Sequence, residues 1–180
     1  RGKGKGLRAG NTRNMENTIN FGIDLGTTNS AIARFVKGEV VVFNNPLDYG
    51  RATLPSVVMY RKDKVIVGSK AREFLEKDPK SVVGAFKRRM GTSMSFKIQS
   101  IGETRTPIQL SAEVLKELKT FVNTGESVDA AVITVPASFD LIQSNATKEA
   151  GAMAGFRQVI LLQEPIAASL AYANMKKAKD

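Results

Sequence analysis

Ile19 to Ser30 reads INFGIDLGTTNS, and the fold is decided by how this stretch is read. Ile19, Phe21, Ile23 and Leu25 alternate with Asn20, Gly22 and Asp24, the period of a strand with two unlike faces. Gly26 ends the strand. Gly26-Thr27-Thr28-Asn29 then combines a residue free to take positive φ with closely spaced N–H groups and two hydroxyls. Such a turn can cradle phosphate oxygens. Asp24 falls on the face opposite Ile23 and Leu25, where a carboxylate can hold a hydrated Mg2+ beside those phosphates. A plain hairpin turn with a solvated Asp fits the same residues, so this stretch alone leaves both readings open.

Working outward, 180 residues are enough for one domain or one lobe of a larger one, with a real core. Cys and His are both absent, which excludes disulfides, thiolate or imidazole metal sites, Cys nucleophiles and Ser-His triads. The chemistry left is that of carboxylates, lysine, hydroxyls and backbone. The net charge of +10 suggests nucleic acid until its distribution is examined. Arg1, Lys3, Lys5, Arg8 and Arg13 supply half of it in a glycine-rich N-terminal segment with no acid and nothing to bury. Residues 1–18 are therefore expected to be a disordered basic leader or an expression remnant, with Met15 a candidate start. A nucleic-acid-binding arm is disfavoured because no aromatic residue is interleaved for stacking. No apolar run is long enough to span a membrane and no signal-peptide core follows the basic start, so a cytoplasmic location is expected.

Ala31 to Val36 and Glu39 to Phe43, joined at Lys37-Gly38, predict a hairpin, so the chain opens with three antiparallel strands. Ser56 to Tyr60 and Val65 to Val67 predict a second hairpin. Ser69 is expected to cap a helix reaching Lys77, and Asp78-Pro79 to open another carrying Val82, Val83 and Phe86. Phe96 to Ile101 and Thr104 to Leu110 read as a third hairpin. A helix capped by Ser111 follows, with Val114, Leu115, Leu118, Phe121 and Val122 on one face. Val128 to Val135 predicts a strand buried on both faces and ended by Pro136. Asp140 to Gly155 is then a helix with Ala146, Ala150 and Ala154 as small packing positions. Gln158 to Gln163 is another buried strand, and Glu164-Pro165 opens a helix through Ala167, Leu170 and Ala171. Three meandering strands followed by βαβα imply one mixed sheet flanked by helices, with right-handed parallel crossovers.

Two charged residues stand out, each with an ordinary explanation. Lys87 in Phe86-Lys87-Arg88-Arg89-Met90-Gly91 reads locally as one more solvated cation. Glu164 opens a helix, where the macrodipole favours an acid. It also lies at the carboxyl end of a strand, where open α/β sheets place their ligands, and Asp24 can face the same cleft.

Several separated segments together resemble one family. FGIDLGTTNS is similar to the first phosphate loop of the actin-like ATPases, a superfamily that includes sugar kinases and bacterial actins. LPSVVMY, AFKRRMG, AVITVPASF with ATKEAGAMAGF, and LLQEPIAASLAY narrow the likeness to the DnaK family, the seventy-kilodalton heat-shock chaperones. The resemblance runs from about Ile19 to Met175. It implies that residues 19–180 are the first lobe of a nucleotide-binding domain with a ribonuclease-H-like α/β sheet, and that a small α+β subdomain is inserted at about 52–124, short against the bacterial pattern. It also implies ATP or ADP with Mg2+. Gly26, Thr27, Thr28 and Asn29 would hold the phosphates, and Asp24 would hold the metal through water. Lys87 and Glu164 would stand beside the attacking water, and Pro136 would couple nucleotide state to a substrate domain.

The departures are Ser138 and Ser144, where the family usually has Tyr and Arg; a serine can make neither a long nor a bidentate contact. The resemblance further implies a second lobe and a substrate-binding domain beyond this sequence, with a J-domain co-chaperone, a nucleotide-exchange factor and unfolded peptide clients as partners of the whole. The expected activity is ATP hydrolysis by the parent protein, with little or none by this chain alone. A non-catalytic docking module and a sugar kinase or actin relative are the alternatives.

Overall fold

The computed structural model describes residues 19–164, so the N-terminal basic segment and the helix expected from Pro165 onward lie outside the described residues. β1 (Phe21–Leu25), β2 (Asn29–Val36) and β3 (Glu39–Val42) form the expected antiparallel meander. Lys37 and Gly38 both take positive φ, 47° and 79°, as the twist of a two-residue hairpin requires. β4 (Leu54–Pro55) adds a short pairing to β2. β5 (Val57–Arg61) and β6 (Lys64–Val67) make the second hairpin, followed by α1 (Ser69–Glu73). β7 (Val82–Gly84), β8 (Phe96–Ile98) and β9 (Glu103–Arg105) lead to α2 (Pro107–Lys119). The chain then runs through β10 (Ala130–Val135), α3 (Leu141–Met153) and β11 (Gln158–Gln163).

Four local expectations are corrected. The helix expected over Val82, Val83 and Phe86 is instead β7 and a 3-10 turn over Phe86–Arg89, because two β-branched residues and Gly84 pair better with β5 than they propagate a helix. Ser69 does not cap α1, which stops at Glu73 short of Lys77; Gly68 holds the cap position, and the Ser69 hydroxyl donates to Asp48 at 2.8 Å. The strand expected to run to Leu110 ends at Arg105, and α2 is capped by Thr106, not Ser111. Thr106 and Gln109 close a reciprocal capping box with Pro107 in the first turn, a stronger start than a lone serine inside the helix. Finally, β10 and β11 are not buried on both faces. Ala131, Ile133 and Val135 are buried while their alternate neighbours are half-covered, and Ile160 of β11 is exposed.

The described strands form a mixed sheet in the order β11-β10-β1-β2-β3, with β1, β10 and β11 mutually parallel. Smaller sheets, β6-β5-β7 and β8-β9, accompany it. α2 packs on β2 and α3, and α3 packs on β11. Ile23, Ile32 and Ile133 of the large sheet, Leu115 and Leu118 of α2, and Val58 and Phe86 of the 52–124 segment share one core cluster. Val114, Leu115 and Leu118 of the expected helix face are buried on α2, whereas Phe121 and Val122, expected on the same face, lie beyond its end at Lys119; Ala146, Ala150 and Ala154 are the small residues that seat α3.

Gly151 shows how close that seat is. A Cβ placed there would lie 2.6 Å from Val159 Cγ2, and a β-branched neighbour has little rotamer freedom to yield. Gly151→Ala is expected to cost about 1–3 kcal/mol through overpacking, outweighing the ~1 kcal/mol that alanine gains in helix propensity. Urea denaturation of both single variants and the double variant checks this. Combining it with Val159→Ala should cost less than the sum of the two.

Candidate functional site

The sheet register assembles the site. Asp24 is level with Thr134 of β10, and Thr134 with Leu162 of β11. Gly26, Pro136 and Glu164 therefore follow the ends of three parallel strands along one edge. Neighbouring strands lie about 4.8 Å apart, so the chain leaves β1 and β11 on the order of 10 Å from each other. This is the carboxyl edge at which parallel sheets bind ligands. Asp24 is exposed beside it, between buried Ile23 and Leu25, as the strand period requires.

The loop from Gly26 to Asn29 is drawn so tight that a Cβ on Gly26 would stand 2.0 Å from the Asn29 carbonyl oxygen. Only glycine fits there. The loop is tied from beneath by two buried serines that the motif reading did not single out. Ser56 Oγ donates to the Gly26 carbonyl at 2.9 Å and sits 2.9 Å from Ser30 Oγ, while the Ser56 amide donates to the Thr28 carbonyl at 2.9 Å. Gly26 and Thr27 are half-buried, and Thr28 and Asn29 are exposed. Among the described residues, the amides of Gly26, Thr27 and Thr28 donate to no acceptor.

Lys87 is not the solvated cation that its basic neighbours suggest. It is 8% exposed. Its Nζ donates to the Leu25 carbonyl and lies 5.5 Å from the centre of the Phe139 ring. Burial pushes its pKa below the usual lysine value, while the charges of Asp24 and Glu164 pull the other way. The structure thus brings Asp24, Lys87 and Glu164 together at the strand edge. Pro136 joins them through a turn in which its carbonyl accepts from the Phe139 amide at 3.0 Å. Ser138 in that turn is exposed, and Ser144 sits half-buried in the first turns of α3.

The family model described as Hsp70 protein matches residues 20–180. This chain belongs to the Hsp70 family. It is 40% identical over 162 residues to the chaperone protein DnaK of Mycoplasma mycoides subsp. mycoides SC, covering 89% of this chain and 27% of that protein. It is 43% identical over 165 residues to DnaK of Endomicrobium trichonymphae and 42% identical over 160 residues to DnaK of Mycoplasmoides gallisepticum, spanning 26% of each. The chain thus spans about a quarter of the length of these Hsp70 relatives.

Two other features bear on this strand edge by contrast. Among the described residues, no three carboxylates converge into a metal cage. A single exposed Asp24 suits Mg2+, which keeps most of its waters and borrows one or two carboxylates together with phosphate oxygens. Elsewhere, an open cavity of about 510 Å³ is lined by Tyr60, Arg61, Lys64, Ser100, Arg105 and Glu113 among others, and no site residue borders it. Burial and the Glu113 charge push the Tyr60 phenol up to about 12, although Arg105 lies over its ring.

Sequence reasoning missed Ser30, Ser56 and Phe139. Ser56 stands in LPSVVMY and Phe139 in AVITVPASF, so the motifs contained them, but nothing in the local pattern shows what their side chains reach.

The depressed Lys87 pKa gives a signed expectation. The folded state holds this proton less tightly than the unfolded chain, so Lys87 disfavours folding most at pH below its folded pKa. That penalty is relieved as pH rises toward the unfolded value of 10.5. Urea unfolding without nucleotide or metal is therefore expected to show the native protein gaining stability relative to Lys87→Met between neutral pH and about pH 10. Parallel pH profiles would contradict the burial argument.

Proposed function

We propose that this chain builds the phosphate and metal side of an ATP site in a DnaK-like chaperone, whose whole protein hydrolyses ATP and uses the cycle to drive peptide binding and release. The observation that carries this reading is buried Lys87, held at the end of β1 and facing the charges of Asp24 and Glu164 across the strand edge. A lysine is desolvated in this way at a cost, and a cation beside two carboxylates and a loop whose amides have no acceptor among the described residues has an evident use where phosphate charge moves.

In this reading the amides and hydroxyls of Gly26 to Asn29 bind the β- and γ-phosphates, and Asp24 holds the hydrated metal. Bound Mg2+ would offset phosphate charge. Lys87 places its charge against the transferring group, and Glu164 orients the attacking water. Pro136, tied to Phe139 over Lys87, transmits nucleotide state to the rest of the protein. The strand order supports a ribonuclease-H-like sheet of actin-like ATPase type, with the 52–124 segment as its inserted α+β subdomain. The length of the matched relatives supports a second lobe supplying the base and ribose contacts, and a separate peptide-binding domain. A cytoplasmic location and work with a J-domain co-chaperone and an exchange factor follow from the same reading. The described residues contain no helix long and apolar enough to cross a membrane.

A second reading, a docking module without turnover, draws support from Ser138 and Ser144 alone. Titration calorimetry and single-turnover hydrolysis with the whole protein that carries this chain separate the two. Asp24→Asn is expected to weaken Mg-ADP by about tenfold or more and leave metal-free ADP almost unchanged. Lys87→Ala should slow hydrolysis by about 10²–10³ with a smaller effect on ADP affinity. Binding and turnover indifferent to both substitutions would overturn the reading. Saturable binding without turnover in the native protein would favour the docking module.

A further inference from the structure

The phosphate loop offers its ligand backbone amides as well as hydroxyls, and something must fix the direction of its peptide planes. In a trans peptide the carbonyl of one residue and the amide of the next point opposite ways. Whatever holds the Gly26 carbonyl therefore aims the Thr27 amide, and whatever holds the Thr28 carbonyl aims the Asn29 amide. Ser56 holds both. Its hydroxyl has a single hydrogen, which goes to the Gly26 carbonyl, so the 2.9 Å contact with Ser30 Oγ must be a bond donated by Ser30. The result is a directed chain from Ser30 through Ser56 to Gly26. Ser30 and Ser56 are 1% and 2% exposed, so no water competes for it. The Ser56 amide adds the bond to Thr28 from the same point of β4 and β5.

We propose that Ser56 is a positioning residue for phosphate recognition: its hydroxyl, oriented by Ser30, and its amide draw the Gly26 and Thr28 carbonyls inward and so turn the Thr27 and Asn29 amides toward a nucleotide diphosphate. This rests on the nucleotide reading above and names the part of the chain, far from the loop in sequence, that sets phosphate affinity. Gly26 permits the tight path, and Ser56 selects its direction. The Lys87 bond to the Leu25 carbonyl does the same for the Gly26 amide one peptide earlier.

The test compares ADP with adenosine in the whole protein that carries this chain, since only ADP engages the loop. Ser56→Ala removes the hydroxyl arm but keeps the amide arm. It is expected to weaken ADP by about tenfold, the value of one buried hydrogen bond, and leave adenosine affinity within about twofold. Ser56→Thr, which keeps an Oγ, should restore most of the difference, and Ser30→Ala should give a smaller loss of the same kind. Equal weakening of ADP and adenosine, or a fall in unfolding midpoint with the ADP to adenosine ratio intact, would overturn the proposal by reducing Ser56 to a structural contact. If the native protein itself does not prefer ADP to adenosine, the phosphate reading fails first; if it does and Ser56→Ala leaves that preference unchanged, only this inference fails.

Discussion

An ammonium group in a protein interior must be compensated, and Lys87 is partly compensated from three sides. Even after relaxation, taking such an ion out of water costs several kcal/mol. One of its three hydrogens goes to the Leu25 carbonyl, the Phe139 ring offers its electron-rich face, and Asp24 and Glu164 supply opposite charge. These partners come from the end of β1, the turn after β10 and the end of β11. The lysine comes from the 3-10 turn after β7. One buried charge thus ties together four stretches of chain that have no local reason to meet. Losing any one of them would leave the ion less compensated, so the cost of burial acts as a constraint on how the carboxyl edge of the sheet is assembled.

That edge exists because β1, β10 and β11 are parallel and in register. A side-chain period of two makes the register unforgiving. A slip of one residue in β1 would drive Asp24 into the core and turn Ile23 and Leu25 to solvent. The apolar cost of that exchange fixes the position of the carboxylate more firmly than any contact the carboxylate makes itself. α3 bridges β10 and β11 as a crossover, and its small residues, Ala146, Ala150 and Gly151, let it lie close to the sheet. The placement of Glu164 relative to Asp24 is therefore a consequence of packing two strands away.

How much of this could be read in advance follows from the range of the interactions involved. β1, the hairpin at Lys37-Gly38, β10, α3 and β11 were legible because alternation, continuous apolar runs, glycine turns and spaced small residues are local signals. β7 was not, because Val82 and Val83 become a strand only once β5 is available to pair. The start of α2 at Thr106-Pro107, closed by Gln109, is masked in the sequence by the strand-like run before it, which shifts the apparent start to Ser111. At the site, Asp24, the loop and Glu164 could be suggested from position on the strands. The burial of Lys87 could not, because its acceptor Leu25 is 62 residues away and its ring partner Phe139 lies in another motif. Ser56 was hidden in the same way, 30 residues from the Gly26 carbonyl it holds.

The division of labour between backbone and side chains explains why these hidden residues matter. A loop that offers amides to a ligand is insensitive to most changes in its own side chains, except at Gly26, where a Cβ would meet a carbonyl oxygen. Thr27 and Thr28 can contribute hydroxyls, but the peptide directions do not depend on them. They depend on what holds the carbonyls, and those holders, Ser56 and Lys87, sit in the buried shell beneath the loop. Burial excludes the water that would otherwise compete for each carbonyl, so each bond is stronger and more directional than the same bond at the surface. On the proposed nucleotide reading, preference for phosphate would be written in the packing beneath the loop, and the exposed motif would be the surface on which it is displayed.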